Sequence, residues 1–387
     1  MWVVTTRDVR PGETLLVDTP LVVGTVGEDV MENIELSGEM VRRVIEIIEA
    51  DEDRRERVLG LMDHLDIRRG QAVWDEVREH IGPWVLARPG MEEVSLETVE
   101  RVVGIIRTNS IKWDQQQMSA SGDGSHAYAL CPLFACLNHS CGSNATDVQT
   151  SCGHVVVRAV RAIKRGEEVS IQYRASAMDS VTRRTELKEF WMFDCDCERC
   201  RDRTEMGTMA SGLRCVTCVC DGVMLPDTCS LDTSWTCDTC GQTVSQEMVD
   251  RTLASIKERI STINIKTSVS EVEHILEELR TKLHKNHSLC LSLQRLLITL
   301  HGLDPDNLSR KVSLCQDYIS VMSRLDPGSG PWLGPVIREL VAGLSRRIEA
   351  DAANNNMTRV ECVGGIKEIM GWTKREALCR MIVNKNI

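Results

Sequence analysis

Asn138-His139-Ser140-Cys141-Gly142-Ser143-Asn144 is the stretch whose reading decides the fold. It sets an amide, an imidazole, a hydroxyl and a thiol side by side, a set suited to holding ligands and metals rather than to filling a core. Three later segments complete it. Gly166-Glu167-Glu168 leads into a strand that runs to Tyr173, and Cys195-x-Cys197-x-x-Cys200 follows. Then come Cys215-x-x-Cys218 and Cys237-x-x-Cys240. Each fragment alone is a weak motif, but their order and spacing together are not.

Working outward, residues 1–26 read as short β-branched strands: Trp2 to Thr6, a turn at Arg10-Pro11-Gly12-Glu13, then Thr14 to Val17 and Leu21 to Val23. From Met31 to Arg107 the apolar residues recur at helical spacing, as in Val41, Val44, Ile45 and Ile48, and again in Val99, Val102, Val103 and Ile106. Gly122 to Ser125 reads as a loop. Residues 130–174 return to strands, with Val155-Val156-Val157 and Val169 to Tyr173 on either side of a Lys164-Arg165-Gly166 turn. A helix from Ser180 to Phe193 runs into the cysteines. Residues 213–245 hold too little apolar volume to fold unaided, and from Gln246 onward the pattern is helical, with stacked antiparallel pairs but no clear tetratricopeptide consensus. The class is α+β: an interrupted β core, a cysteine-rich segment and an all-α C-terminal array.

The chain of 387 residues is long enough for two or three domains. No apolar run reaches the length of a membrane span, and the opening residues lack the pattern of a secretory leader, so a membrane protein or a secreted one is not expected. Nine of the 17 cysteines lie between Cys195 and Cys240, which points to metal ligands in a reducing compartment rather than to disulfides. A net charge of −11 disfavours direct nucleic-acid binding and suits a basic partner such as a histone tail. Residues 213–245 carry one basic residue, Arg214, among several aspartates, so the cysteine-rich segment offers no phosphate-binding patch.

Cys195, Cys197 and Cys200 supply three thiolates, and a closed tetrahedral zinc site requires a fourth. Cys215, Cys218, Cys237 and Cys240 have the spacing of a zinc ribbon on their own, with Cys220 and Cys229 as spare thiols able to exchange in. Both sites are structural in kind, since four thiolates leave no open position for water.

Together these residues resemble the SET-domain protein lysine methyltransferases, in particular the SMYD family and its arthropod-type branch. The resemblance implies a split SET β-fold with a helical insert, a zinc-bound post-SET segment, a zinc ribbon and a TPR-like helical array. It divides the chain at 1–30, 31–106, 107–190, 191–205, 213–245 and 246–387. It nominates Cys141 as the fourth ligand of the first zinc. It also implies S-adenosylmethionine as cofactor, held by Asn138, His139, Asn109, His64 and Phe193. Methyl transfer to a lysine amine is an in-line displacement that needs a neutral, aligned amine, and Tyr173, one of three tyrosines in the chain, is placed to orient it.

The pattern is broken in four places. The family's glycine loop belongs just upstream of the strand at Trp2, so this sequence lacks it, which would weaken cofactor binding or mark a shortened product. No cysteine precedes Cys131, so the MYND finger is missing. Ser143 stands in place of a proline, and Trp191 in place of a second channel tyrosine. The expected function is SAM-dependent lysine methylation of histones or other proteins, with a part in transcriptional regulation, by a monomer in the cytoplasm or the nucleus. The alternatives are a catalytically inactive zinc-stabilised SET scaffold and, more distantly, a zinc protein that binds nucleic acid.

Overall fold

The Pro11-Gly12 turn opens the β core, with Gly12 at φ +85°, a backbone region that L side chains disfavour. β1 (Thr14–Asp18) leaves that turn and β2 (Val22–Val26) follows it. The structure, a computed structural model, describes residues 2–26, 34–113, 126–215, 220–302, 307–326, 332–354 and 356–384; the loop expected at Gly122 to Ser125 lies outside them. β3 (Ser110–Trp113) and β4 (His126–Leu130) complete an antiparallel sheet of order β2-β4-β3. Next come β5 (Asn138–His139), β6 (Ala145–Gln149), β7 (Val155–Ala159) and β8 (Ser170–Ile171). A second antiparallel sheet has the order β1-β7-β6, and β5 pairs with β8 in parallel. All five residues of β7 are buried, which its unbroken apolar run requires of a central strand.

Two expected strands are shorter than their sequences suggest. Trp2 to Thr6 contributes a single bridge, Val4 to Glu168, flanked by the bonds Thr5 N–H to Glu167 O (3.1 Å) and Val169 N–H to Val3 O (2.8 Å). Val169 to Tyr173 is regular only at Ser170–Ile171, because beyond it the chain bends to present Tyr173 to the cysteine segment.

The helical insert runs from Ile34–Ala50 to Leu96–Asn109. Its apolar stripe, Val41, Val44, Ile45 and Ile48, meets Val99, Val102, Val103 and Ile106 in one core. The centre of that insert is pinned by Glu100, which accepts from Trp74 Nε1 (3.1 Å) and Arg69 Nη2 (2.9 Å) and pairs with Arg78. Burial pushes the Glu100 carboxyl up, but the two guanidiniums outweigh it and leave it below its ordinary value.

Helix Ser180–Trp191 is capped by Asp179, whose carboxylate accepts from Thr182 N–H at 2.9 Å. It stops at Met192, at φ 59°, so that Phe193 and the cysteines fold back towards β5. The small strands β9 (Leu213–Arg214), β10 (Val223–Pro226), β11 (Trp235–Cys237) and β12 (Thr243–Val244) form a meander of order β12-β11-β10-β9. This segment is not left to fold alone. Leu213, Met224, Trp235 and Cys237 belong to the core of the C-terminal helices, and Trp235 Nε1 donates to Gln246 Oε1 at 2.8 Å.

Helices Gln246–Ile260, Val269–Arg280, Ser288–Leu300, Leu308–Leu325, Leu333–Ala353 and Arg359–Ile382 form the array. The last one returns to the β core. Arg158 Nη1, on β7, donates to the carbonyls of Met381, Ile382 and Asn384 at 2.8–3.1 Å, and the Met381 side chain lies against Gly12. Among the described residues no helix is long and apolar enough to cross a membrane.

Candidate active site and metal centres

The sulfurs of Cys141, Cys195, Cys197 and Cys200 converge within 4.8 Å of one another. Cys141 lies 3.8 Å from Cys195 and 3.6 Å from Cys200. These distances exclude a disulfide and match the edge of a tetrahedron of sulfurs about 3.8 Å apart around zinc. The Cys141 sulfur, just after β5, thus stands with those of Cys195, Cys197 and Cys200 in a group that could hold a metal ion.

A buried charge group backs this cluster. Arg183 donates from Nε to Cys141 Sγ at 3.0 Å, and its Nη2 lies 3.8 Å from Cys200 Sγ. Glu205 pairs with Arg183 at 3.3 Å and with Arg199 at 2.6 Å, and accepts from Ser211 Oγ. The three side chains are 0%, 3% and 1% exposed, so none is neutralised by water. Burial pushes Glu205 up, but Arg199 and Arg183 hold it down at about 2. Burial likewise works against the charge on Arg183, while Glu205 and the thiol sulfurs sustain it. These three residues carry no motif in the sequence; only the helical register of Ser180–Trp191, which turns Arg183 inward with Leu187, hinted at them.

On the other side of Cys141 stands His139. Its Nε2 lies 3.2 Å from Cys141 Sγ, and its Nδ1 accepts from the backbone N–H of Tyr173 at 3.0 Å. Burial, seconded by Arg183 and Arg199 against Cys197, pushes the imidazole down to about 4, so it is neutral. The Tyr173 hydroxyl donates to the Leu137 carbonyl at 2.7 Å, and burial raises it to about 12. Around this pair the rings gather: Tyr173 is 5.1 Å from Trp191 and 5.2 Å from His139, and His139 is 6.0 Å from Phe193. Arg174 lies over Trp191 at 4.8 Å and pairs with Glu186.

Asn144, at the end of the quoted stretch, explains why that stretch needs Gly166-Glu167-Glu168. It donates to Glu167 Oε1 (3.1 Å) and to the Glu168 carbonyl (2.7 Å), and accepts from Ser170 N–H (2.9 Å). Asn138 is exposed and donates to Glu168 Oε1 at 2.7 Å. His139, Tyr173, Phe193 and Trp191 thus share one site with Asn138 at its edge. Asn109 and His64 form a second group: Asn109 Nδ2 donates to the Met62 carbonyl at 2.8 Å, two residues before His64. Gln71 Nε2 lies 3.9 Å from Met192 Sδ, which joins the helical insert to the turn carrying Phe193. His64 is half-buried, and burial with Arg68 lowers it from its ordinary value. An exposed amide, a half-buried aromatic ring and the buried, unpartnered hydroxyl of Ser110 beside Asn109 fit the polar and adenine parts of S-adenosylmethionine.

The second cysteine group is Cys215, Cys220, Cys237 and Cys240, with Cys215 3.8 Å from Cys240 and Cys220 3.7 Å from Cys237. Cys218 lies outside the described residues; among those described, Cys220 holds the fourth place. The sulfur spacing again fits a tetrahedral zinc. A cleft of about 340 Å³ opens where the segment after Tyr173 meets the helical array, lined by Ala175, Met178, Leu289, Leu291, Tyr318 and Trp332, with Lys257 and Arg295 also on its wall.

Residues 1–174 match the SET domain. The chain is 32% identical over 196 residues to the SET domain-containing protein SmydA-8, isoform A, of Drosophila melanogaster, covering 49% of this chain and 41% of that protein. It is 28% identical over 216 residues to the histone-lysine N-methyltransferase ASHR1 of Arabidopsis thaliana, covering 53% and 44%. It is 40% identical over 83 residues to mouse histone-lysine N-methyltransferase SMYD3, covering 21% and 19%. The matched part is thus less than half the length of each of these relatives.

Proposed function

We propose that this chain, whose residues 1–174 match the SET domain and which is similar over part of its length to SmydA-8 and SMYD3, is a SMYD-type protein-lysine N-methyltransferase using S-adenosylmethionine. The observation that carries this reading is the placement of Tyr173. Its hydroxyl is fixed on Leu137, its ring lies 5.1 Å from that of Trp191, and Phe193 packs in the same cluster. When bound, the cofactor supplies a methyl group on a sulfonium. The protein's share is alignment and dehydration. Tyr173, neutral because it is buried, offers its oxygen lone pairs to one proton of the incoming amine and so aims the nitrogen lone pair. Trp191 and Tyr173 form apolar walls, which favour the uncharged amine. Asn138, Asn109, His64 and Phe193 hold the cofactor, and the backbone of His139 joins them. The two cysteine sets hold structural zinc ions, Cys218 being a candidate alongside Cys220 in the second.

A lysine on a histone or another protein enters from the cleft between the segment after Tyr173 and the helical array, whose apolar lining suits an extended peptide. The partner is a protein, and the enzyme acts as a monomer in the nucleus or cytoplasm, with gene expression as one field of action. The test is transfer of label from tritiated S-adenosylmethionine to core histones and to proteins of a cell extract. Transfer by the zinc-loaded chain that is lost in Tyr173→Phe supports the proposal. A folded chain that labels nothing under these conditions favours the scaffold reading.

A further inference from the structure

We infer that His139 is a positioning residue that couples the first metal centre to Tyr173. This rests on the reading of Tyr173 as the residue that orients the amine. A neutral imidazole has one nitrogen that accepts and one that donates. His139 Nδ1 accepts from Tyr173 N–H at 3.0 Å, which puts the ring proton on Nε2, and Nε2 faces Cys141 Sγ at 3.2 Å. The ring is thus held at one end by a metal ligand and at the other by the backbone of Tyr173.

The sulfur is a suitable anchor only in one state. As a metal-bound thiolate it accepts hydrogen bonds from two fixed donors, His139 Nε2 and Arg183 Nε. Released from the metal, the sulfur loses its fixed position, and with it the anchor for Nε2. The His139 ring then has no partner on its Nε2 side. Tyr173 is gripped by the same short segment at both ends, its N–H by His139 and its hydroxyl by the Leu137 carbonyl. Loss of the first grip therefore changes the setting of the tyrosine ring. Occupancy of the metal centre governs whether Tyr173 is aligned, and side-chain rotation of His139 carries the effect. The arrangement also means that the imidazole faces the sulfur and leaves the cofactor to the His139 backbone.

The chain has three tyrosines, Tyr128, Tyr173 and Tyr318, so fluorine NMR of the 3-fluorotyrosine-labelled, zinc-loaded full chain gives three resonances, with Tyr173→Phe assigning one. In His139→Leu, with zinc content measured to confirm that both ions remain, the Tyr173 resonance is expected to shift by more than its linewidth. The resonance of Tyr318, buried in the helical array, is expected to stay in place. Chelating the first zinc should shift Tyr173 in the wild type but not in His139→Leu, where the link is already cut. A merely structural histidine would not give that dependence. His139→Gln, which keeps a polar side chain in the half-buried site, provides the same comparison if the leucine variant does not fold. An unchanged Tyr173 resonance in a zinc-retaining variant, or equal response to chelation in variant and wild type, overturns the inference. The measurement needs no cofactor. A coupled Tyr173 in a chain that binds no S-adenosylmethionine would leave this inference standing and remove the methyl-transfer reading alone.

Discussion

The Tyr173 hydroxyl makes one bond, to a carbonyl three residues before Ser140, and burial keeps it protonated up to about pH 12. Removing only that oxygen in Tyr173→Phe should lower methyl transfer by roughly a hundredfold or more while circular dichroism stays unchanged. Because the tyrosine does not titrate in the working range, the rate should rise with pH as the substrate amine loses its proton, with no falling limb from Tyr173 below about 12. Glu205 is the opposite kind of residue, remote from chemistry and held ionised between two arginines. Glu205→Gln strands two buried cations and should cost about 3–5 kcal/mol in urea unfolding at neutral pH. Its folded-state value, about 2, lies below its ordinary one, so its stabilisation is present above roughly pH 4.5 and is lost as pH falls towards 2. The acid limb of the stability curve should flatten across that window in the variant.

Among the elements, the helices were legible because a periodic stripe survives any tertiary context, and Val41 to Ile48 and Val99 to Ile106 face one another as their spacing required. The convergence of the cysteines was legible because thiols at short fixed spacing have few other uses, although the place of Cys220 depends on how β10 and β11 bring it opposite Cys237. What spacing could not show was the exchange of partners over long distances. Trp2 to Thr6 has the composition of a strand yet makes one bridge among the described residues, Val4 to Glu168, because its remaining backbone bonds go to the turn at Gly166 and Glu167. Nor does anything near Arg158 announce that it caps the end of helix Arg359–Ile382, more than two hundred residues away. Three carbonyls on one guanidinium nitrogen tie the array to the β core, beside the contact of Met381 with Gly12. Arg158→Met should remove about 1.5–3 kcal/mol of docking. Hydrogen exchange should then speed up over residues 359–384 while the core of β6 and β7 keeps its protection.

For the whole molecule, two cysteine clusters that could hold zinc sit at the joins. The first lies where the turn after helix Ser180–Trp191 meets the residues following β5, and the second where the meander meets a core it shares with the helices. Elemental analysis should find two zinc ions per chain. Cys237→Ser, at a buried ligand, should reduce this to one and destabilise the C-terminal half by roughly 4 kcal/mol or more, read as a separate early transition in thermal unfolding. The active site stays joined to the first centre and should survive that loss. Cofactor binding is what the account turns on, and titration calorimetry of the zinc-loaded chain with S-adenosylmethionine, repeated on Asn138→Ala, measures it directly. Saturable micromolar binding that is lost or sharply weakened in the variant is expected; a folded, zinc-replete chain that takes up no cofactor would contradict the methyltransferase reading.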